Sequence, residues 1–182
     1  ITDRTRVVAV SHVSKVTGFV TPLERIVPLA RTVGALVVLD ACQAAPHLVL
    51  HPRALDVDVA VFSGHKLYGP TGIGVLYGRA AVLDALPPHL FGGSAITTVT
   101  LEKAHFLPAP QRFEPGTPRI AAAIGLAEAV RFVTEIGLDR IAATEHVLAE
   151  RLHAALAEIP GIRVLGGSAV PAAERVALAS VV

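Results

Sequence analysis

Short apolar runs, each ending at a polar residue, dominate the first half of the chain. They are rich in Val, Ile and Leu and continuous rather than alternating, which is typical of strands buried on both faces. We predict such strands at residues 6–12, 35–39, 55–62 and 74–77. Because helical segments separate strands of this kind, the pattern predicts an α/β fold with a parallel or mixed sheet covered by helices on both faces.

Helical spacing of apolar residues first appears after the first strand. Thr21 is predicted to be the N-cap of this helix, with Pro22 at its first position and Glu24 completing a capping box. Gly34 is expected to end the helix. Pro28 lies inside it and predicts a kink or an early end.

The second half of the chain predicts mostly helices and loops. A short helix is expected at 80–86, a proline-rich loop with a brief strand at 97–101, and a long helix from Thr117-Pro118 to about residue 136. Its apolar positions are Ile120, Ala123, Ile124, Ala127 and Val130. A second helix follows from about residue 138, with a buried face predicted to hold Ile141, Leu148, Leu152 and Leu156.

Two further strands, at 162–165 and 176–182, are expected after the helices. We therefore predict two units: residues 1–133 as part of a large domain, and 134–182 as the beginning of a smaller α+β domain. The last strand has nothing after it, and the sequence contains no methionine. Both features suggest a fragment of a longer protein.

Composition narrows the class of protein further. The 182 residues are 52% hydrophobic and 17% charged, with a formal net charge of +1, which is typical of a globular domain. The basic residues form no cluster, which argues against nucleic acid or an anionic membrane surface as the main partner. No apolar run reaches the roughly 18–20 residues that a membrane span needs. One cysteine cannot form an internal disulfide, which fits a reducing cytoplasm.

The candidate chemistry lies in the segment 62–74, Phe-Ser-Gly-His-Lys-Leu-Tyr-Gly-Pro-Thr-Gly-Ile-Gly. Lys66 is one of only three lysines in the chain, and a primary amine can form a Schiff base. Asp40 ends another predicted strand, and in a parallel sheet the carboxyl ends of strands share one edge. A lysine and a carboxylate in one crevice suit pyridoxal phosphate, although a structural ion pair would give the same pattern.

Neighbouring residues add to the cofactor hypothesis. Ser63 and His65 could hydrogen-bond a phosphate, and Gln43 could reach the phenolic oxygen of the same ring. The glycines after Lys66 do not form a P-loop, because no Gly-Lys-Ser/Thr follows them. No metal site is predicted, since six histidines lack the spacing of metal ligands: His47, His51, His89, His105, His146 and His153. His12 ends the first predicted strand, where it could face the crevice or have a structural role.

Three segments carry a resemblance to a known family: 40–44 (Asp-Ala-Cys-Gln-Ala), 62–74 as quoted above, and 112–118 (Arg-Phe-Glu-Pro-Gly-Thr-Pro). They resemble the pyridoxal-phosphate-dependent cysteine desulfurases, which belong to class V of the fold type I aminotransferases. The nearest resemblance is to the sulfur-mobilising branch that supplies iron–sulfur cluster assembly and includes selenocysteine-lyase-like enzymes. The likeness covers essentially the whole chain, in the same order.

The resemblance implies a role for each matching residue. Lys66 would be the Schiff-base lysine, Asp40 would pair with the pyridine nitrogen, and Gln43 would bind the ring oxygen. Ser63 and His65 would bind the phosphate. Thr117 would reach the phosphate of the other subunit's cofactor, so a homodimer with shared active sites is expected, with the pair Gly92-Gly93 near its interface.

The chain departs from the family's pattern at three points. Lys15 stands where the family usually has asparagine, close to cofactor and substrate, and it could attract a substrate carboxylate. The ring-stacking histidine of the family would lie before residue 1, and the sulfur-accepting cysteine and carboxylate-binding arginine after residue 182. Cys42 does not correspond to that cysteine and is expected to be a small residue at the end of a buried strand.

The implied function is the conversion of L-cysteine to L-alanine, with the sulfur passed as a persulfide to a protein acceptor in the cytoplasm. Alternatives within the family are a selenocysteine lyase, a kynureninase-like hydrolase or an epimerase. An alternative of another class is a truncated, non-catalytic paralogue that serves as a scaffold. The 182 residues alone are expected to be inactive, because part of the site would lie outside them.

Overall fold

A four-stranded sheet organises the amino-terminal part of the molecule, as seen in a computed structural model that describes residues 1–166 and 174–182. Its strands are β1 (Val7–Ser11), β2 (Leu36–Asp40), β3 (Val59–Ser63) and β4 (Gly74–Gly78), in the spatial order β1-β2-β3-β4. The first three are parallel, and β4 runs antiparallel to β3. The predicted mixed, mainly parallel sheet is confirmed.

One face of this sheet forms the hydrophobic core with α1 (Leu23–Thr32). Val37 and Leu39 of β2 are fully buried there, and Leu23, Val27 and Ala30 of α1 pack into the same cluster. Burying a valine or leucine side chain contributes roughly 1.5–3 kcal/mol, so this layer is the main stabilising contact of the fold. A helix layer on the second face remains a prediction.

The second face carries the alternate residues of the strands, because successive side chains in a strand point to opposite sides. Val7 and Leu36 are paired across β1 and β2, and Leu76 lies on β4. All three are exposed. This face is therefore apolar and open among the residues that the structure describes.

The third strand is shorter than predicted. Residues 55–58 form a turn instead of the beginning of a strand, and Asp56 has a positive φ of 55°. Asp58 accounts for the difference, because its buried carboxylate accepts hydrogen bonds from the Val37 amide (2.7 Å) and the Arg31 guanidinium (2.8 Å). The polar side chain fastens the turn to α1 and β2, and the strand begins only after it.

The start of α1 also differs from its prediction. Thr21 does not cap the helix: its hydroxyl donates to the carbonyl of Ser11 at 2.6 Å, and the capping position is occupied by Pro22 without a side-chain hydrogen bond. The prediction of a capping box is therefore wrong. The early end at Pro28 is wrong as well, since the helix continues to Thr32.

The later elements are α2 (Ala80–Ala85), the hairpin β5 (Ile96–Val99) and β6 (Ala104–Phe106), α3 (Ile120–Ile136) and α4 (Leu138–Ala157). The strand β6 had not been predicted, and α3 begins at Ile120 rather than at Thr117. On α3, Ile120, Ile124 and Val130 are exposed, although they are among the apolar positions noted from the sequence. The buried residues of this helix are Leu126, Ala129 and Val133.

The predicted buried face of α4 is wrong at two of its four positions, while Ile141 and Leu156 are half-buried. Leu148 and Leu152 are exposed, and the buried residue of this helix is Ala149. After α4, the chain pairs Val164 with Val181 in an antiparallel bridge, which is supported by two backbone hydrogen bonds between Arg163 and Val182. Residues 167–173 of the predicted second unit lie outside the described residues, and the division at 133/134 remains a prediction.

Candidate active site

The carboxyl ends of β2 and β3 bring two of the predicted site residues to one face of the sheet. Asp40 is in register with Val61, and Ser63 lies two residues further along β3, so the side chains of Asp40 and Ser63 point to the same side. This side is opposite α1. Asp40 is exposed and Ser63 half-buried, so both can be reached by a ligand.

A turn after β2 links these two side chains. The amide of Cys42 donates to Asp40 Oδ1 at 2.9 Å, and the Cys42 thiol lies 3.5 Å from the Ser63 hydroxyl. Cys42 therefore lies in a turn beside the candidate site and not at the end of a strand. One carboxylate oxygen of Asp40 is held by this turn, which fixes the orientation of the group.

The segment that carries Lys66 is a short 3-10 helix, Gly64–Leu67, directly after β3. Its two ends are joined, because the Gly69 amide donates to the Gly64 carbonyl at 3.0 Å. Tyr68 adopts the left-handed conformation with φ 58°, which closes the turn. Lys66 is half-buried, and no carboxylate lies within ion-pair distance of its amine among residues 1–166 and 174–182.

The other predicted site residues are Gln43, His65 and Thr117. Gln43 is half-buried in the turn after β2, and His65 is exposed beside Lys66. Thr117 is exposed in the loop before α3. The Gly116 amide donates to the Gly93 carbonyl at 2.7 Å, so the structure brings the loop of Thr117 together with the Gly92-Gly93 pair.

The end of β1 contributes two more residues. His12 is buried, and its backbone amide donates to the Asp40 carbonyl at 2.8 Å. Its Nδ1 has no hydrogen-bond partner within the described part of the chain, and burial lowers the pKa of this imidazole. Lys15 follows in a tight turn in which Ser14 Oγ accepts from the Thr17 amide at 3.2 Å. The Lys15 side chain is exposed at the same edge of the sheet.

The donor set of this edge fits pyridoxal phosphate. Lys66 offers an amine for the aldehyde of the cofactor, and Asp40 offers an oriented carboxylate for its pyridine nitrogen. Ser63 and His65, on either side of Gly64 in the sequence, offer a hydroxyl and an imidazole for its phosphate. The absence of an ion-pair partner for Lys66 within the described ranges supports the fit, because the amine is not already neutralised by a protein carboxylate.

Sequence reasoning missed one residue near this site. Leu126 of α3 is buried against the Lys66 turn, although it was not among the apolar positions noted for that helix from the sequence. The signal that could have found it is the pair Gly64 and Gly69, since two glycines flanking a turn leave room for an apolar side chain.

Neither a metal-binding cluster nor a membrane-spanning helix occurs in the described residues. No group of three or more His, Cys, Asp or Glu side chains in 1–166 and 174–182 is arranged to hold a metal ion. Within the same residues, no helix combines the length and the apolar character that a membrane crossing requires.

The sequence of this chain is similar to the sequences of one protein family. The family model of the class-V aminotransferases matches residues 1–182. The chain is 48% identical over 166 residues to a protein of Streptomyces coelicolor described as a "Probable cysteine desulfurase". That match includes 91% of this chain but only 40% of the relative, so the chain spans about two fifths of the length of the protein it matches.

Solved structures give the same result for the fold. The chain is similar to the cysteine desulfurase CsdA from Escherichia coli with a TM-score of 0.87 and 39% identity, over 90% of this chain and 41% of that one. It is also similar to a C-DES mutant that has glycine covalently linked to its PLP cofactor, with a TM-score of 0.82 and 27% identity. That match covers 94% of this chain and 46% of the other.

Proposed function

The chain belongs to the class-V aminotransferase family, and on that basis we propose that the full-length protein is a pyridoxal-phosphate-dependent cysteine desulfurase. It converts L-cysteine to L-alanine and passes the sulfur to a thiol of a protein acceptor, which becomes a persulfide. The electron pair of the broken C–S bond stays on the carbon that becomes the alanine methyl group, and the acceptor thiol gives up its proton.

The observation that carries this proposal is the shared edge of the sheet at the ends of β2 and β3. Asp40 and Ser63 point to one side there, and the segment of Lys66 begins immediately after Ser63. The 48% identity to a desulfurase relative extends over 166 residues of one continuous chain.

Each of these side chains has a defined task. When bound, pyridoxal phosphate supplies an aldehyde that bonds amines and a pyridine ring that withdraws electrons. Asp40 would hold the protonated ring nitrogen with the carboxylate that Cys42 orients. Ser63 and His65 would hold the phosphate. Lys66 would hold the cofactor through its amine, and the free amine could accept or donate a proton at the substrate.

We also propose a domain division, a homodimer and a cellular role for the full-length enzyme. Residues 1–133 belong to the large domain of a fold type I enzyme, and 134–182 begin its small domain. Thr117 reaches the cofactor phosphate of a second subunit in a homodimer, and Gln43 binds the ring oxygen. The enzyme acts in the cytoplasm in iron–sulfur cluster or other sulfur assembly, and the single cysteine of the chain is consistent with that compartment.

The test uses the full-length protein with added pyridoxal phosphate. We expect a visible absorption band of the lysine-bound cofactor, which Lys66→Ala abolishes and Lys103→Ala, an exposed lysine in the β5–β6 connection, retains. With L-cysteine and a thiol reductant, alanine and sulfide should form in equal amounts. A band that persists in Lys66→Ala would overturn the proposal.

Substrate comparison separates the alternatives within the family. Much faster alanine formation from selenocysteine than from cysteine would assign a selenocysteine lyase. Turnover of kynurenine equal to that of cysteine would exclude both enzymes. A protein that binds no cofactor would be the non-catalytic scaffold.

A further inference from the structure

We propose that Leu126 of α3 is a positioning residue for Lys66, an inference that rests on the proposed role of Lys66 as the cofactor-binding amine. The turn of Lys66 and the helix α3 are far apart in sequence, yet they contact each other. Leu126 is buried in that contact, close to Gly64 and Gly69, and it sets where the turn lies relative to the end of β3.

The turn is closed on itself and fastened at both ends. The Gly64 amide donates to the Ile73 carbonyl at 2.9 Å, and the Gly69 amide donates to the Gly64 carbonyl at 3.0 Å. Leu67, the residue after Lys66, is buried. The backbone of Lys66 therefore cannot move independently, and a displacement of the turn displaces Lys66 with it.

Leu126 touches the turn at both of its glycines. A Cβ atom built on Gly69 would lie 2.9 Å from Leu126 Cδ1, and one built on Gly64 would lie 3.3 Å from the same atom. A side chain at either position would press against Leu126, and at Gly69 it would also lie 2.9 Å from the Gly64 carbonyl oxygen. Leu126 itself is only 6% exposed, so its methyl groups fill the space that the two glycines leave.

Two neighbouring contacts also hold α3 against the turn. A Cβ built on Gly125 would lie 3.3 Å from Pro70 Cγ, so helix and turn also approach closely one residue before Leu126. Further along α3, Phe132 forms an edge-to-face contact with Tyr68, with ring centroids 6.3 Å apart. Both aromatic residues are exposed, so the buried contact of Leu126 dominates the position of the turn.

Truncating Leu126 would leave a cavity beneath the turn. Interiors are close-packed, and surrounding groups relax partly into such a space. The glycine-flanked turn meets Leu126 with backbone rather than side chains, so it is expected to move toward α3 and to shift Lys66 relative to the end of β3. A role in general stability alone would leave the environment of Lys66 unchanged in the folded protein.

The first test measures Lys66 directly in the cofactor-free, full-length protein. Competitive acetylation with acetic anhydride, read by mass spectrometry, gives the rate at Lys66 relative to Lys15 and Lys103, which serve as internal references. We expect Leu126→Ala to change this ratio at least threefold, equivalent to about 0.7 kcal/mol. Leu126→Met, which keeps the volume, should restore the ratio of the natural protein.

Val133→Ala is the matched control, because Val133 is also buried on α3 and lies two turns beyond Leu126. It should lower the melting temperature as other core truncations do but leave the acetylation ratio within about 1.5-fold, less than about 0.3 kcal/mol. An unchanged ratio in Leu126→Ala, or an equal change in Val133→Ala, would overturn the proposal.

A second variant approaches the same contact without creating a cavity. Gly125→Ala adds a methyl group against Pro70 and raises helix propensity, so the protein should fold. We expect it to shift the acetylation ratio of Lys66 as well, and an unchanged ratio would count against the proposal.

The two proposals fail separately. With pyridoxal phosphate, a natural protein that shows no visible band contradicts the proposed function, whatever the acetylation ratios are. A natural protein that shows the band while the band's position and pH midpoint stay unchanged in Leu126→Ala contradicts the positioning role alone.

Discussion

The Cys42 thiol lies 3.5 Å from the Ser63 hydroxyl, although the two residues are 21 positions apart and follow or end different strands. The Cys42 amide also holds Asp40 Oδ1 at 2.9 Å. One turn therefore connects the carboxylate proposed for the pyridine nitrogen with the hydroxyl proposed for the phosphate. The relationship exists because β2 and β3 are adjacent and parallel, so their carboxyl ends meet.

Replacing Asp40 by asparagine tests the carboxylate without disturbing its surroundings. The side-chain carbonyl in Asp40→Asn would still accept from the Cys42 amide, so the melting temperature should change by less than about 2 °C. The negative charge proposed to face the ring nitrogen is lost, and we expect alanine formation to fall about 100-fold, or roughly 2.7 kcal/mol. The control is Asp84→Asn, an exposed residue of α2, which should retain activity. Full activity in Asp40→Asn would exclude its role at the cofactor.

Lys15 offers a test of substrate recognition. Its turn is held by backbone groups and by Ser14 Oγ, so Lys15→Asn should not affect folding. If its ammonium group attracts the carboxylate of the amino-acid substrate, the KM for L-cysteine should rise about tenfold, or about 1.4 kcal/mol, with little change in kcat. Lys15→Arg keeps the charge and should keep the KM. An unchanged KM in Lys15→Asn would show that the cation does not contact the substrate.

The buried carboxylate of Asp58 is predicted to be important for stability. It accepts from Val37 and Arg31 and lies 3.3 Å from Arg79 Nε, with 7% of its side chain exposed. Removing one partner of a buried pair leaves the others uncompensated, so Asp58→Ala should lower the free energy of unfolding by about 3 kcal/mol. The control Glu128→Ala removes an exposed ion pair with Arg131 and should have a much smaller effect. Denaturant unfolding measures both, and equal effects would contradict the prediction.

Asp56 should contribute to the acid sensitivity of the fold. The hydrogen bond from the Arg31 side chain lowers the pKa of this carboxyl below its ordinary value. The stabilisation is therefore present above the unfolded-state pKa and is lost as the pH falls through the folded-state pKa. The stability difference between the natural protein and Asp56→Asn should be largest near pH 7 and shrink below about pH 4. A difference that stays constant from pH 7 to pH 2 would contradict this origin.

His12 should affect the stability of the fold in a higher pH range than Asp56 does. Burial lowers its pKa, so the unfolded chain binds a proton there before the folded protein does. The contribution of His12 to stability is therefore fully present above about pH 6.5, and it declines as the pH falls below that value. His12→Gln should remove this part of the decline, whereas His89→Gln, at an exposed loop position, should not. Thermal melting between pH 7 and pH 5 makes the comparison, and an equal decline in His12→Gln and the natural protein would exclude His12 as its source.

Much of the sheet could be predicted from local patterns. Continuous apolar runs ending at Asp40 and before Lys66 indicated parallel strands, and a parallel sheet places its carboxyl ends together. The turn at 55–58 could not be predicted, because the apolar residues there continue the run. It is Asp58, bonded to Val37 and Arg31 from other elements, that delays the start of the strand.

The helix α3 shows the limit of sequence reasoning most clearly. By itself the sequence determined that a helix reaches about residue 136, and that an amine, a carboxylate and a hydroxyl lie near strand ends. This helix is apolar on nearly every side, so periodicity alone could not select its buried face. Only the tertiary structure decided it, because Gly64 and Gly69 of a distant turn leave a space that Leu126 fills, and close packing favours the one orientation in which that space is occupied.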